Sequence, residues 1–180
     1  MREHDLIRCY FNGSALVPDG NFATAALNDR LGAGEVVFVD LDPERSAKSH
    51  KHAFAFVRTA WLNLPDQLKD APYAGSPDHL RKHALIATGF RKVEMMPCDT
   101  AARAECAAQM MGRIARNLDG YAVTVVDGRV AYCLTAESQS LKAMGGRRFQ
   151  DSKQAILDWL ADLLGVTPDD LARMGRKEAA

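Results

Sequence analysis

The sequence predicts an α+β fold in which a small mixed or antiparallel sheet packs against several helices. Two hairpin signals, Asn12-Gly13 and Asp127-Gly128, each lie between runs of strand-forming residues. Helical segments between them carry capping residues at their ends, such as Ser76-Pro77 and Gly89. A chain of 180 residues, 47% of them hydrophobic, can bury a sizeable core. We therefore expect one domain over residues 1–175 and a frayed tail at 176–180.

The first third of the chain predicts the element order β-β-α-β. Strand-forming runs at 6–11 and 14–17 flank the first hairpin signal, and a helical pattern over 21–31 ends at Gly32. Residues 35–41, Glu-Val-Val-Phe-Val-Asp-Leu, are rich in β-branched side chains and predict a further strand.

A helix predicted over 45–64 has an apolar face and a basic face. At about 100° per residue, one arc of about 120° holds Ala53, Phe54, Val57, Ala60, Trp61 and Leu64. The opposite arc holds Lys48, Lys51, His52 and Arg58. Phe56 lies at the margin of the apolar arc, where it fits either core packing or stacking against a nucleobase.

The bounds of the remaining elements are predicted from capping and turn residues. Ser76 and Gly89 bound a helix, residues 91–98 predict a strand, and a helix over 100–118 has Asp99 or Thr100 as its cap. After the second hairpin, a long helix ends at Gly165. Thr167 and Asp170 have the spacing of a capping box and begin a short terminal helix.

The residues indicate no catalytic, metal or cofactor site. The chain lacks phosphate-binding glycine loops and nucleophile elbows, and its four cysteines fit no zinc spacing. His79 and His83 share a helix face, but no acidic or cysteine partner accompanies them, so packing or surface roles are favoured. We expect a protein that is not an enzyme. No apolar run approaches membrane length and no signal-peptide core is evident, which predicts a cytoplasmic protein with no membrane partner.

The charge of the chain is unevenly distributed. The 23 basic and 23 acidic residues balance overall, which argues against a nucleic-acid binder. Residues 44–92, however, hold nine basic and four acidic residues, an excess of five, together with four of the five histidines. Basic groups on adjacent helices, with aromatic side chains beside them, suit contacts to a phosphate backbone, although a solvated helix face is the alternative interpretation.

Three short motifs resemble a known family. His50-Lys51-His52 followed by Phe54 is similar to the signature helix of the phage NinB/Orf recombination proteins and of a related phage and prophage family. Leu80-Arg81 running to Thr88-Gly89-Phe90 is similar to a second motif, and Ser138-x-Ser140-Leu141-x-x-Met144 to a third. Residues 99–133 depart from the pattern as a helix-plus-hairpin insertion. Gly-Gly-Arg-Arg at 145–148 stands where the family usually has acidic residues.

The resemblance implies a phage-derived, non-catalytic protein that assists homologous recombination. The NinB/Orf proteins are dimers that bind single-stranded DNA and act where a recombinase displaces single-strand-binding protein. The expected partners are therefore single-stranded DNA, a second copy of the chain, and a host recombinase or single-strand-binding protein. The residues expected to contact DNA, by neutralising phosphates, are Arg45, Lys48, Lys51, His52, Arg58, Arg81, Lys82, Arg91 and Lys92, with Arg147 and Arg148 as a flexible edge.

An alternative from a different class is a protein-binding module, a phage adaptor or inhibitor of a host factor. The segment 99–133 carries Met110-Met111 on an Ala-rich helix and follows Met95-Met96. Methionines form adaptable apolar surfaces that suit protein partners, and they also suit a core or a dimer seam.

Overall fold

The computed structural model describes residues 7–39, 41, 47–140 and 143–178. It confirms the α+β class, with six helices and two small antiparallel sheets within these residues. The chain divides into two compact units, residues 1–41 and residues 42–180. Each unit is described by itself, and the single domain expected over 1–175 stays a prediction.

The first unit contains a hairpin and a helix. Strands β1 (Cys9–Phe11) and β2 (Leu16–Pro18) pair antiparallel, and helix α1 (Gly20–Asn28) follows. The connecting loop is longer than the expected two-residue turn, because Phe11 pairs with Leu16. Asn12 closes this loop: its Oδ1 accepts the backbone N–H groups of Ser14 and Ala15 at 3.0 and 2.9 Å. An asparagine side chain often replaces backbone pairing in this way.

The strand expected over 35–41 is not formed by residues 35–39 and 41, the part of this range that the structure describes. Residues 35–39 have no strand partner among the described residues, and Val36 and Phe38 are almost wholly exposed. β-Branched residues favour extended backbone, but a strand also needs a neighbouring edge to receive its N–H and C=O groups. The β-strand propensity of residues 35–39 is therefore not sufficient to form a strand.

Four helices build the main core of the second unit. They are α2 (Ala47–Leu62), α3 (Pro77–Ala87), α5 (Gly146–Leu164) and α6 (Pro168–Glu178), and a short 3₁₀ turn covers Asp66–Leu68. Their contact is made by large side chains that are fully buried: Phe56, Leu80, Leu85, Phe149, Ile156, Leu160 and Leu171. Side chains of this kind contribute about 1.5–3 kcal/mol each when they leave water, so this cluster is the main source of stability in the unit.

Helix α4 (Ala101–Asp119) covers one face of a three-stranded sheet. Strands β3 (Arg91–Pro97), β4 (Val123–Asp127) and β5 (Val130–Ala136) pair antiparallel in the order β3-β5-β4. The contact is made by small residues, with Ala104, Ala108, Gly112 and Ala115 of the helix facing Ala131 and Cys133 of β5. This helix and hairpin coincide with the expected 99–133 segment. Residues on the other sheet face include Val93, Met95 and Val125, all substantially exposed.

The capping predictions are confirmed where side-chain contacts test them. Ser76 Oγ accepts the N–H of His79 at 3.1 Å, Thr100 Oγ1 accepts that of Arg103 at 3.2 Å, and Thr167 Oγ1 accepts that of Asp170 at 3.2 Å. In the second hairpin the turn residues are Gly128 and Arg129, since Asp127 pairs with Val130. Only Gly128 takes positive φ, at +57°, as the first central residue of a type II′ turn does.

The buried face of α2 is rotated from the expected one. Phe56 is fully buried, whereas Phe54, expected in the core, is 43% exposed. The cause is α6, which packs on the flank of α2 that carries His52 and Phe56. His52 Nε2 lies 3.2 Å from the backbone oxygen of Ala172 in α6. A helix contacted on two flanks buries a wider arc than a single apolar stripe predicts.

Gly112 sets how closely α4 approaches the sheet. A Cβ atom at this position would lie 2.7 Å from Thr124 Cγ2, and the β-branched threonine has little freedom to move. We expect Gly112→Val to lower the free energy of unfolding by about 1–3 kcal/mol through overpacking. Urea denaturation measures this change. Helix propensity alone would favour valine over glycine, and Gln109→Val, at an exposed position of the same helix, shows the effect of a valine that meets no close neighbour. Equal effects of the two substitutions would contradict the close contact.

Candidate nucleic-acid interface

A basic and aromatic stripe lies on the exposed side of α2. Lys51, Phe54 and Arg58 are spaced at i, i+3 and i+7, which places them on one helix face, and all three are exposed. The sequence of α2 contains no aspartate or glutamate. Positive charge on this face is therefore not offset by an acid of the same helix.

Arg81 of α3 joins this stripe to the loop that follows β5. Its guanidinium carbon lies over the Phe54 ring, 5.4 Å from the ring centroid. Its Nη1 donates to Gln139 Oε1 at 2.7 Å, and its Nε and Nη2 donate to Asp78 Oδ1 at 3.1 and 2.7 Å. The side chain is only 13% exposed. Arg81 is thus held in one orientation by two neighbouring segments.

Lys82 shares the carboxylate of Asp78. Its Nζ lies 2.8 Å from Asp78 Oδ2 and also donates to the backbone oxygen of Asp119, at the end of α4. Burial of Asp78 opposes its ionisation, but hydrogen bonds from Lys82 and Arg81 outweigh burial and hold the pKa of this carboxyl below its usual value. Asp78 is therefore a carboxylate at neutral pH, and it compensates part of the charge of both cations.

A surface pocket of about 410 Å³ opens between these elements. Its lining residues come from α2, α3, the end of α4 and the segment after β5: Phe54, Arg81, Lys82, Leu118, Asp119, Tyr121, Ala136, Glu137, Ser138, Gln139 and Ser140. The three motifs that resemble the phage family all contribute to it, through Phe54, Arg81 and the Ser138–Ser140 loop. Segments far apart in sequence thus form one concave surface.

Glu137 anchors the edge of this pocket. Arg148 donates to both of its carboxylate oxygens, at 2.8 and 2.6 Å, and also lies over the Phe90 ring at 5.0 Å. The hydrogen bond from Arg148 and, more weakly, the charge of Lys92 hold the pKa of Glu137 below its usual value. Arg148 lies in the first turn of α5 together with Arg147, so the expected flexible edge is a helical turn.

An aromatic cluster supports the pocket from behind. Tyr121 is buried, and its hydroxyl lies 2.9 Å from His83 Nδ1. The His83 ring packs against Tyr73 and Trp159, with centroid distances of 4.5 and 5.5 Å. Burial lowers the pKa of His83 and raises the pKa of Tyr121 to about 12. Both groups are neutral at pH 7, and they fix the wall formed by Tyr121.

The other residues expected to contact DNA have varied surroundings. Lys92 and Arg147 are exposed, and Arg91 is exposed while its Nη1 donates to the Ile86 oxygen at 2.9 Å. Lys48 lies on α2, and Arg45 lies outside the described residues. The suggestion that Phe56 stacks on a nucleobase is wrong, because α6 and the rest of the core bury it completely.

Sequence reasoning missed Phe54, Glu137, Gln139 and Tyr121. Phe54 could have been found, since it lies three residues after Lys51 and four before Arg58, and therefore on their face. The contribution of Glu137 and Gln139 depends on how the loop after β5 meets α3. No local sequence pattern predicts the contact between this loop and α3.

The described residues form neither a metal-binding cluster nor a helix that could span a membrane. Within 7–39, 41, 47–140 and 143–178, no group of three or more His, Cys, Asp and Glu side chains is placed to hold a metal ion. None of the helices in these ranges combines the length and the apolar character needed to cross a bilayer.

No family model, curated protein or solved structure matches this chain.

The half-buried imidazole of His83 should make stability depend on pH. Its pKa is lowered in the folded state, so below about pH 6.5 the unfolded chain takes up a proton that the folded chain resists. The free energy of unfolding should fall as pH drops below 6.5, and this fall should be smaller in His83→Gln. Urea titrations at pH 7.5 and 5.5 measure the difference. Between pH 7.5 and 8.5 both proteins should change in parallel. The same fall in both proteins at low pH would exclude a neutral, half-buried His83.

Proposed function

We propose that this protein is a phage-derived, non-catalytic, single-stranded DNA-binding protein that assists homologous recombination in the cytoplasm. The observation that carries the proposal is the stripe of Lys51, Phe54 and Arg58 on an acid-free face of α2. Cations that flank an exposed aromatic ring suit a flexible strand, which offers both phosphates and unstacked bases.

The distribution of charge supports contact through one face rather than through the whole surface. Arg81 and Lys82 are compensated by Asp78, and Arg148 by Glu137, so these cations contribute more to architecture than to phosphate binding. Lys51, Arg58 and Lys92 are exposed to solvent and can approach a phosphate. A small number of such contacts gives binding that is moderate, sensitive to salt and largely independent of sequence.

Reversing the charge of the stripe should remove binding. Lys51→Glu combined with Arg58→Glu should weaken binding to an oligonucleotide by roughly 10-fold or more at low salt. The slope of log affinity against log salt should become shallower by about 1.4, since each phosphate contact on a single strand contributes about 0.7. Fluorescence anisotropy over a series of salt concentrations measures both quantities.

The matched control is Lys69→Glu combined with Arg103→Glu. It makes the same charge change at two exposed side chains outside α2, 64% and 71% exposed, whose ion pairs are worth little to stability. This control should retain most of the affinity. Equal losses in the two double variants would show that only net charge matters, and a wild-type protein that binds no oligonucleotide would reject the proposal.

The partners implied by the resemblance belong to the same proposal. We propose a homodimer that meets a host recombinase or single-strand-binding protein on DNA. Sedimentation velocity of the full chain, with and without an oligonucleotide, distinguishes a monomer from a dimer. The same measurement shows whether DNA is required for assembly.

A second candidate function is an adaptor or inhibitor that binds a host protein. The observation that favours it is the sheet face away from α4. There the exposed side chains Val93 and Met95 of β3 and Val125 of β4 lie on either side of the central strand β5, where Met95 and Val125 both pair with Tyr132. Contiguous apolar side chains on a sheet face are typical of protein-binding surfaces.

Lysines on this sheet face should separate the two functions. Met95→Lys with Val125→Lys should abolish capture of a host protein in an affinity pull-down identified by mass spectrometry, because the added charges would have to be desolvated. Affinity for oligonucleotides should stay within about twofold, since these positions lie outside the pocket and the stripe. The control Gln109→Lys with Asn117→Lys adds the same charge at exposed positions of α4. A partner retained by all three proteins would argue against this surface.

A further inference from the structure

The pocket beside Phe54 differs in charge from the stripe on α2. Among its lining residues, Arg81 and Lys82 are balanced by Asp119 and Glu137. Asp78 contacts both cations as well. A phosphate group in this space would meet carboxylates as well as cations. The charge balance therefore favours a neutral ligand with polar edges.

The walls of the pocket offer both an aromatic surface and hydrogen-bonding groups. Phe54 keeps 43% of its surface exposed beside the Arg81 guanidinium, and Leu118 adds a second apolar side chain. Aromatic rings and guanidinium planes are the surfaces on which unstacked bases pack. The volume of about 410 Å³ falls within the usual range of small-molecule pockets and accommodates one base with its sugar.

The loop after β5 supplies hydroxyl groups in a fixed position. Ser138 Oγ and Ser140 Oγ each accept a backbone N–H within the loop, from Ser140 and Ala143, both at 3.3 Å. A serine hydroxyl also has one O–H donor, which suits the carbonyl oxygens on the edge of a nucleobase. Between the two serines, Gln139 is buried and held at both ends of its amide, by Arg81 and by Ser152. The hydroxyl groups therefore lie on either side of an anchored Gln139.

We infer that this pocket binds one nucleobase of the single strand, turned out of the stack and placed between Phe54 and the Ser138–Ser140 loop. The inference rests on the proposed function, because the phosphates beside that base lie along Lys51 and Arg58. In this arrangement Phe54 contacts the base, and Lys51 and Arg58 contact the phosphate backbone of the DNA.

The test compares an intact oligonucleotide of thymidines with a fully abasic oligonucleotide of the same length, which keeps the phosphates and removes every base. Fluorescence competition with the full-length wild-type protein should show the intact strand binding about 5- to 150-fold more tightly, the range for one stacked base. Phe54→Ala should bring this ratio close to one and leave the salt dependence unchanged.

Two further variants make the test specific to the pocket. Ser138→Leu narrows the pocket at an exposed position without changing charge, and it should also lower the ratio. Leu62→Ala removes another exposed apolar side chain of α2, 57% exposed and outside the pocket lining, and should leave the ratio unchanged. Thermal melts followed by circular dichroism confirm that each variant is folded.

The outcomes separate the two proposals. Equal binding of the intact and abasic strands overturns the base pocket and leaves backbone binding in place. A ratio that survives both Phe54→Ala and Ser138→Leu also overturns the pocket, because the bases are then bound elsewhere. Failure of the wild-type protein to bind either strand overturns the proposed function together with the inference.

Discussion

A short chain of hydrogen bonds through Gln139 fixes the second unit around its pocket. Arg81 Nη1 donates to Gln139 Oε1 at 2.7 Å, and Gln139 Nε2 donates to Ser152 Oγ at 2.8 Å. Ser152 Oγ in turn donates to the backbone oxygen of Phe149 at 2.8 Å. The buried polar side chains of Gln139 and Ser152 therefore both have hydrogen-bond partners. Removing one member would leave buried donors or acceptors unsatisfied, at about 1–3 kcal/mol each. α3, the loop after β5 and α5 are therefore fixed to one another through side chains.

The same hydrogen bonds also hold the cations of α3 in place. Arg81 contacts Gln139 and Asp78. Lys82 contacts Asp78 and the backbone oxygen of Asp119, at the end of α4. Their charges are used largely inside the protein, where they position the walls of the pocket. Lys51 and Arg58 extend from α2, which carries no acid of its own. Part of the excess of five positive charges over residues 44–92 is therefore engaged by Asp78 within the protein.

Much of the fold could be predicted because it depends on local chemistry. Ser76, Thr100 and Thr167 cap helices as their sequence context indicates, and Asp127-Gly128 marks a hairpin that is offset by one residue. The errors share a physical origin in long-range contact. Residues 35–39 have strand propensity but no strand partner among the described residues. Phe54, expected in the core, is exposed, and Phe56, at the margin of the expected apolar arc, is buried where α6 packs on a second flank of α2. The site was predicted in part. The cations of α2 could be read from the sequence, whereas a pocket built by four segments could not.

The segment 99–133, expected as an insertion, is part of the candidate site. Leu118 and Asp119 end α4 at the pocket, Tyr121 forms its rear wall against His83, and the backbone oxygen of Asp119 accepts a hydrogen bond from Lys82. The hairpin carries β5 back to the loop that presents Glu137 and Gln139. The end of α4 and Tyr121 therefore help to form the pocket, and Met95 and Val125 are exposed on the sheet face away from α4. Ala136, which lines the pocket, lies on the same face of β5 as Tyr132, the residue with which Met95 and Val125 pair. This sheet face therefore extends from the pocket to the exposed apolar side chains.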